Sequence, residues 1–427
     1  MGMAHALQVF LCAQPAGTLA LADGALSFHY ADAWLSRPGA VALSRSLPLQ
    51  AQPFGDQQAR PFFEGLLPEG RIRRPGVRQR QLSHGNDLAL LTRLGDECAG
   101  AVTFAEPGQA LPAPVPDPAV RWLDDAQVAA LLDGSPPPSM PAGEESWFSR
   151  RVPVVFDGAR IGLPLAGTPG SHYLVPALRA VEHSVANAAF CTALAQVLGL
   201  RPAQTQMRSV LGRPFLLVER YDRAVAASGQ RRRLHQEDFC QALGALPAMK
   251  YQHAGGPGLA RCFDLLRRAT HPVRPQLLRL FDDVVFNALI GNHAAHARNF
   301  SLLYAGRETI LAPSGTPWST AVHPALAPRM AMAIGSQYDF SQVQARDWEQ
   351  FAQSIGFSWA QSRERILELA ESLPPAARRL RAIPGRGWSG NDVVECIIAL
   401  IEQRCALTVR RLTEPGANPD AATQASV

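Results

Sequence analysis

The sequence predicts an α+β chain: a small β-rich N-terminal unit, then a mixed sheet, then a mainly helical lobe. Three observations carry this. Apolar residues alternate in short runs from Leu7 to about Val41 and again from Val152 to Tyr221. Beyond Asp238 the apolar spacing turns mostly helical. Two proline-dense stretches, Pro107 to Pro118 and Gly134 to Gly143, separate the parts.

In chain order, QVFLC, GTLAL and GALSFHY read as strands of a small antiparallel sheet. RPFFEGLLPEG and NDLALLTRLG read as helices, with Asn86 and Asp87 able to cap the second. These make an N-terminal domain over 1–105. Residues 106–143 read as a proline-rich linker around one short amphipathic piece, WLDDAQVAALL. In 144–222 the runs VPVVFD, SHYLVP, QMRSVL and PFLLVERYD read as strands and HSVANAAFCTALAQVLGL as a helix. In 223–414, RLFDDVVFNALIGN, DWEQFAQSIG and NDVVECIIALIEQRCALTVRRL read as helices, and 415–427 has no apolar period and reads as a tail. A sheet with one helix, a hinge and a larger helical lobe is the layout of a two-lobed protein-kinase-like core.

Composition narrows the class. With 427 residues, 47% hydrophobic and 18% charged, the chain is long and apolar enough for two or three packed domains, which excludes a disordered chain, a small disulfide scaffold and a coiled coil. A net charge of +5 over this length is too dilute to indicate nucleic-acid binding, and the runs Arg71 to Arg80 and Arg231 to Arg233 read as solvated loops. Seven cysteines, with no CxxC pair, read as reduced thiols. With no basic leader and no apolar run of membrane-spanning length, the expected location is the cytoplasm. Lys250 is the one lysine; the remaining basic residues are arginine, so any mechanism that needs a compact ammonium has a single candidate.

Several stretches, taken together and in order, resemble the HipA family of bacterial Ser/Thr kinase toxins of toxin-antitoxin pairs: SLPLQ with RPFFEGLLPEG, NDLALLTRLGDECAGAV, VERYDR, HQEDFCQALG, KYQ with GGPG, FNALIGN and HARNFSLLY. The resemblance spans about residues 7 to 410. It implies a small β-rich domain docked on a kinase-like core, and as partner a small helix-turn-helix antitoxin of the HipB type, through which such a protein reaches operator DNA.

The chemistry that the resemblance implies is not matched residue by residue. Phosphoryl transfer needs a lysine on the phosphates, a helix carboxylate to hold it, a catalytic-loop Asp, and Asn plus Asp on magnesium. At the family's lysine position HYLVP has Val175, and at its helix glutamate Asn187 is followed by Ala188. GNHAAHARNF has Ala294 at the catalytic aspartate, and LAPSGTPWST has Thr316 at the metal aspartate. In the phosphate-loop stretch EESWFSRRV, Trp147 and Phe148 are bulky where close backbone approach wants small residues. His296 and Asn299 remain, Asn299 as the surviving type of magnesium ligand, and Glu219, Tyr221 and His296 fall where the family has its nucleotide cleft.

Five altered parts predict a catalytically inactive pseudokinase that acts by binding and has no cofactor. The alternative is an active Ser/Thr protein kinase that uses Mg-ATP through rewired residues such as Arg150, Arg151 or Arg179. Asp282, Asp283 and Asp339 are possible metal acids but read as solvated, and the His293 and His296 pair, with His253 or His323, reads as loop hydrogen bonding rather than a metal site. Glu219, Tyr221 and Asp222 are expected to brace the hinge, Lys250 and Tyr251 to brace the lobes, and one of Trp147, Phe148 and Trp318 to fill the cleft.

Overall fold

A computed structural model describes the chain except for residues 1–4, 68–87, 89–90, 93–96, 110, 112–118, 135–150, 166, 227–230, 307, 324, 327 and 415–427. The run Arg71 to Arg80, the Asn86 and Asp87 cap, Trp147, Phe148, Arg150 and the tail lie outside the described residues.

Strands β1 (His5–Leu11), β2 (Gln14–Ala22) and β3 (Ala25–Tyr30) form an antiparallel meander. After helices α1 (Asp32–Leu35) and α2 (Asp56–Gly65) the chain returns as β4 (Val102–Ala105) beside β1, giving the order β3-β2-β1-β4. Period-two alternation puts Val9, Leu19 and Phe28 on one face, where α2 covers them with Phe62 and Phe63. The α2 helix starts at Asp56, earlier than the apolar pattern indicated, because Arg60 closes an i,i+4 ion pair with Asp56 at 2.6 Å.

The second sheet holds β5 (Val120–Trp122), β6 (Val152–Phe156), β7 (Ile161–Pro164), β8 (His172–Pro176), β9 (Thr205–Val210) and β10 (Arg213–Glu219) in the order β5-β7-β6-β8-β10-β9. Here the linker expectation for 106–143 is corrected. Its described part gives the sheet an edge strand, β5, and a covering helix, α3 (Asp125–Leu132), whose N-terminus Asp124 closes in a capping box with Gln127. Val128 and Leu131 of α3 pack on Val152, Leu174 and Leu217, so apolar burial holds this segment on the sheet.

The opposite face of the sheet carries α4 (Ser184–Val197), nearly all of whose residues are buried. Val185, Ala188 and Ala189 face Leu216 and Val218, while Ala186, Phe190, Cys191 and Leu194 belong to the core of the helical lobe. These sets repeat at helical spacing on two faces, so α4 is walled by both lobes.

Beyond the sheet, β11 (Arg223–Val225) pairs with β12 (Arg231–Arg233), which corrects the reading of Arg231 to Arg233 as a solvated loop. Strand β13 (His235–Asp238) runs into α5 (Phe239–Ala242), and α6 (Leu259–Ala269) and α7 (Val273–Leu289) follow. A hairpin of β14 (Ser301–Ala305) and β15 (Glu308–Leu311) completes a sheet β13-β14-β15 inside a region whose pattern indicated helix. Helices α8 (Ala345–Ser354), α9 (Trp359–Arg381) and α10 (Asp392–Thr413) close the lobe. In the GGPG motif, a Cβ on Gly256 would lie 1.8 Å from the Met249 carbonyl oxygen, so only glycine fits.

The N-terminal domain docks on β13 and α5. Glu237, fully buried, accepts hydrogen bonds from the Ser44 hydroxyl, the Arg45 backbone N–H at 3.1 Å and the Tyr304 hydroxyl at 2.5 Å. Ser46 Oγ donates to the Gln241 carbonyl at 2.7 Å, and Gln241 Nε2 donates to the Phe62 carbonyl at 2.9 Å. Burial pushes the Glu237 carboxyl up to about 7, against the three donors that hold it down. His235, whose Nε2 meets the Leu43 carbonyl at 2.8 Å, is pushed down to about 4 by burial.

The two groups act oppositely on stability. The folded protein keeps the Glu237 proton that the unfolded chain releases, so this stabilisation is present at acid pH and is lost as pH rises toward 7; His235 stabilises above its unfolded value and less as pH falls toward 4. Comparison with Glu237→Gln isolates the first. Wild-type stability relative to that variant, measured by urea unfolding from pH 4.5 to 7, should fall with rising pH at up to about 1.4 kcal/mol per pH unit.

Candidate functional site

Between the sheet lobe and the helical lobe lies a cavity of about 660 Å³. Val175, Ala188, Ala294, Thr316, Glu219, Tyr221, His296 and Asn299 all line it, so positions from 175 to 316 of the sequence meet in one place.

Strand β8 divides its side chains by period two. Leu174 points into the core beneath α3, while Tyr173 and Val175 face the cavity, with Val175 paired in register with Leu216 of β10. From α4, Ala188 joins the same apolar cluster, and Trp318 packs onto it from the segment after β15. This part of the cleft wall therefore presents an isopropyl, a methyl and an indole packed on one apolar cluster. Of the three aromatic residues expected to supply a filling side chain, Trp318 forms part of the wall, and Trp147 and Phe148 lie outside the described residues.

Asn187, fully buried one residue earlier, holds that segment in place. Its Nδ2 donates to the Ser319 carbonyl at 2.8 Å and its Oδ1 accepts from the Ser319 N–H at 2.8 Å, with His323 Nε2 at 3.1 Å from Nδ2.

The loop after α7 is built by hydrogen bonds. Gly291 turns at φ +75°, and Asn292 Nδ2 donates to Asn287 Oδ1 at 2.7 Å. The His293 N–H donates to Thr320 Oγ1 at 2.8 Å, and its Nε2 lies 3.0 Å from Nη2 of Arg404, which also donates to the Ala288 carbonyl. His296 meets Tyr251 edge to face at 5.3 Å. His293 and His296 thus turn to different neighbours, and the described residues contain no group of three His, Cys, Asp or Glu able to hold a metal. Asn299 is exposed and donates from Nδ2 to the Ala294 carbonyl at 2.9 Å. Arg298 donates to Asp238 Oδ2 at 3.0 Å and to the Gly65 carbonyl at 2.9 Å, tying the loop to the N-terminal domain.

At the hinge the bracing is carried by a residue the sequence reading did not single out, although it stands inside the VERYDR motif. Arg220, its side chain fully buried, pairs with Glu97 at 2.6 Å and Asp222 at 3.1 Å. Asp222 also accepts from the Gly100 N–H at 2.8 Å and from Gln236 Nε2 at 3.0 Å, and Arg223 pairs with it at 3.0 Å. Burial would raise the Asp222 carboxyl, but Arg220 and Arg223 hold it well below the usual carboxylate range. Arg220, Arg223 and Arg233 all donate to the Cys98 carbonyl. Tyr221 reaches Gln236 Oε1 at 2.7 Å, while Glu219 is exposed. The braced parts are therefore the hinge and the N-terminal domain.

The candidate metal acids separate. Asp282 forms a bidentate pair with Arg365 at 2.9 Å, and Asp339 caps a short turn through the Ser341 N–H. Asp283 faces the cavity and is only 5% exposed, and burial pushes it up to about 7, against Arg279 and the Ser314 hydroxyl; neither Asp282 nor Asp283 is the solvated acid that the helical pattern indicated, because Arg365 of α9 pairs with the first and the packed cleft floor buries the second. Arg151 and Lys250 line the cavity, Lys250 lying 5.7 Å from the Tyr251 ring centre. Arg179 instead donates to the Asp133 carbonyl, away from it.

A six-stranded sheet with one crossing helix, a hinge, and a helical lobe whose asparagine-bearing loop faces the cleft define a kinase-like fold carrying an added β-rich N-terminal domain. Residues 7–105 match the HipA N-terminal domain and residues 154–377 the HipA-like C-terminal domain. The chain belongs to the HipA family. It is 39% identical to the putative kinase Y4mE of Sinorhizobium fredii over 367 residues, 84% of this chain and 87% of that one. To the serine/threonine-protein kinase toxin HipA of Shewanella oneidensis it is 27% identical over 374 residues, 82% of each. Among solved structures, the HipA chain of the Shewanella oneidensis HipA, HipB and operator DNA complex shares the fold at a TM-score of 0.76 and 22% identity, over 95% of this chain and 97% of that one. No described helix is long and apolar enough to cross a membrane.

Two substitutions separate the hinge network from an ordinary ion pair. Asp222→Asn leaves Arg220 and Arg223 short of buried counter-charge and should cost about 3–5 kcal/mol. Asp282→Asn, at the partly exposed pair with Arg365, should cost about 1 kcal/mol or less. Urea unfolding midpoints at constant slope measure both.

Proposed function

We infer that this HipA-family protein is a pseudokinase: it keeps the kinase-like scaffold, transfers no phosphoryl group, and acts by binding. The observation that carries this is the packing of Val175, Ala188 and Trp318 in one apolar cluster on the cleft wall. Neither an isopropyl nor a methyl group attracts a phosphate, and Ala294 and Thr316 offer magnesium and an incoming hydroxyl no carboxylate. The described residues therefore do not fit Mg-ATP. Losing one preorganised charge-stabilising group commonly costs about 10² to 10³ in rate, so the joint loss takes turnover below a useful level.

The binding partner in this reading is a HipB-type helix-turn-helix antitoxin, with operator DNA reached through it, or another protein that the scaffold modulates. Support comes from the full N-terminal domain and from the HipA chain of similar fold, which was solved with HipB and operator DNA. The second reading is an active Ser/Thr kinase. It draws on Lys250, Arg151 and Asp283, which line the cavity, and on relatives named as kinases.

Incubation with labelled ATP, magnesium and a generic Ser/Thr substrate decides between them. The expected result is no label in substrate or protein above the protein-free background. Transfer that disappears in Asn299→Ala would establish the kinase instead. Co-expression with a HipB-type protein should give one co-eluting complex, formed equally well by Asn299→Ala.

A further inference from the structure

Residues 314–323 run as a strap along the cleft wall and are tied to both lobes. At one end Ser314 pairs with the chain before β9: its N–H donates to the Arg201 carbonyl at 3.0 Å, and its carbonyl accepts from the Ala203 N–H at 2.8 Å. At the other end the Ala321 N–H donates to the Gly291 carbonyl at 3.0 Å, and Val322 packs on the core of the helical lobe. Between these ties Trp318 lies on the apolar wall and Ser319 on Asn187 of α4.

The hydrogen bonds of Asn187 fix the protonation of His323. Ser319 presents both a carbonyl and an N–H, so the Asn187 amide must set Nδ2 against the first and Oδ1 against the second. Turned over, it would oppose donor to donor and acceptor to acceptor. One Nδ2 hydrogen goes to the Ser319 carbonyl, and the other is left for His323 Nε2 at 3.1 Å. That ring nitrogen therefore accepts, which requires the neutral imidazole with its proton on Nδ1. A second proton, on Nε2, would face the amide hydrogen and turn the bond that closes the strap on α4 into a repulsion.

The surroundings disfavour that proton. His183, at the N-cap of α4, acts on the ring as a like charge, and its own neighbour Glu182 is exposed, 3.5 Å from His183. Asn187 stands in the first turn of α4, the positive end of the helix dipole. Trp318 is centred 6.1 Å from the His323 ring, at the limit of cation–π reach, and no carboxylate among the described residues pairs with His323. Burial, and after it His183, holds the ring below the ordinary histidine value. The Ser319 hydroxyl, fully buried and without a hydrogen-bond partner among the described residues, would gain water if the strap lifted, which lowers the cost of release.

We propose that His323 is an acid-sensitive clasp on the cleft wall, a device beyond the pseudokinase reading and independent of what the cleft binds. Neutral, it holds the strap and Trp318 against α4; protonated, it lets that stretch lift and opens the wall between the lobes. The unfolded chain takes up the proton first, so the clasp is closed above about pH 6.5 and is lost as pH falls through the lower value of the folded protein.

Hydrogen–deuterium exchange of the full chain at neutral pH and at pH 5, corrected for the intrinsic pH dependence of amide exchange, tests this. Amides of 318–323 should exchange about tenfold faster at pH 5, while those of β14 keep their protection. His323→Gln, whose Oε1 accepts at either pH, should remove the difference, and His323→Ala should exchange fast at both. In wild-type protein the His323 ring signal, assigned by its loss in either variant, should titrate below about 6.5. The two wild-type measurements decide even where a variant fails to fold. Equal strap exchange at the two pH values, acid acceleration that persists in folded His323→Gln, or a His323 ring that titrates at or above about 6.5 overturns the clasp.

Discussion

The architecture depends on a buried guanidinium. Arg220 reaches from the hinge to Glu97 of the N-terminal domain and to Asp222 on its own segment, and Arg223 and Arg233 join it on the Cys98 carbonyl. A buried charge is tolerated only when its hydrogen-bonding capacity is met, and here the loop at 97–100 supplies carboxylate, carbonyls and an N–H in one place. That requirement fixes the N-terminal domain against the hinge, and Glu237 with Ser44 and Arg45 fixes it against the helical lobe. The Glu237 contact lies apart from the apolar cleft wall, whereas Arg220 also lies 4.4 Å from the ring centre of Tyr173, which packs on that wall.

Helix α4 is the element that ties the cleft wall to both lobes. With one face on the sheet and the other in the helical core, it is held by apolar burial on both sides. Removing one member of a buried ion pair strands its partner, at a cost of about 3–5 kcal/mol, whereas replacing both by packed apolar groups is often neutral. Val175 and Ala188, packed on one apolar cluster, place no charge there that would need a partner.

Much of this was legible in the sequence. Period-two runs marked the strands of both sheets, and the motif order carried the eight cleft positions that the fold gathers at one cavity. What escaped had physical causes. Strand β7 is four residues with a glycine, too short for alternation to register. Helix α9 contains Pro374 and Pro375, which locally read as a break, yet burial of Leu369, Leu373 and Leu380 carries the helix through. The burial of Asp283 was hidden because helical spacing reveals an amphipathic face but not what will pack over its polar side. Arg220 carried no signal beyond its place between two acids, since its partner Glu97 is distant in sequence.

The scarcity of lysine acquires a practical meaning from the fold. The ε-amino group of Lys250 is the single side-chain amine of the chain, and it stands at the cleft rather than on the outer surface. Apart from the amino terminus, an amine-selective reagent has one address, so acylation at Lys250 becomes a direct reporter of whatever enters or leaves the space between the lobes.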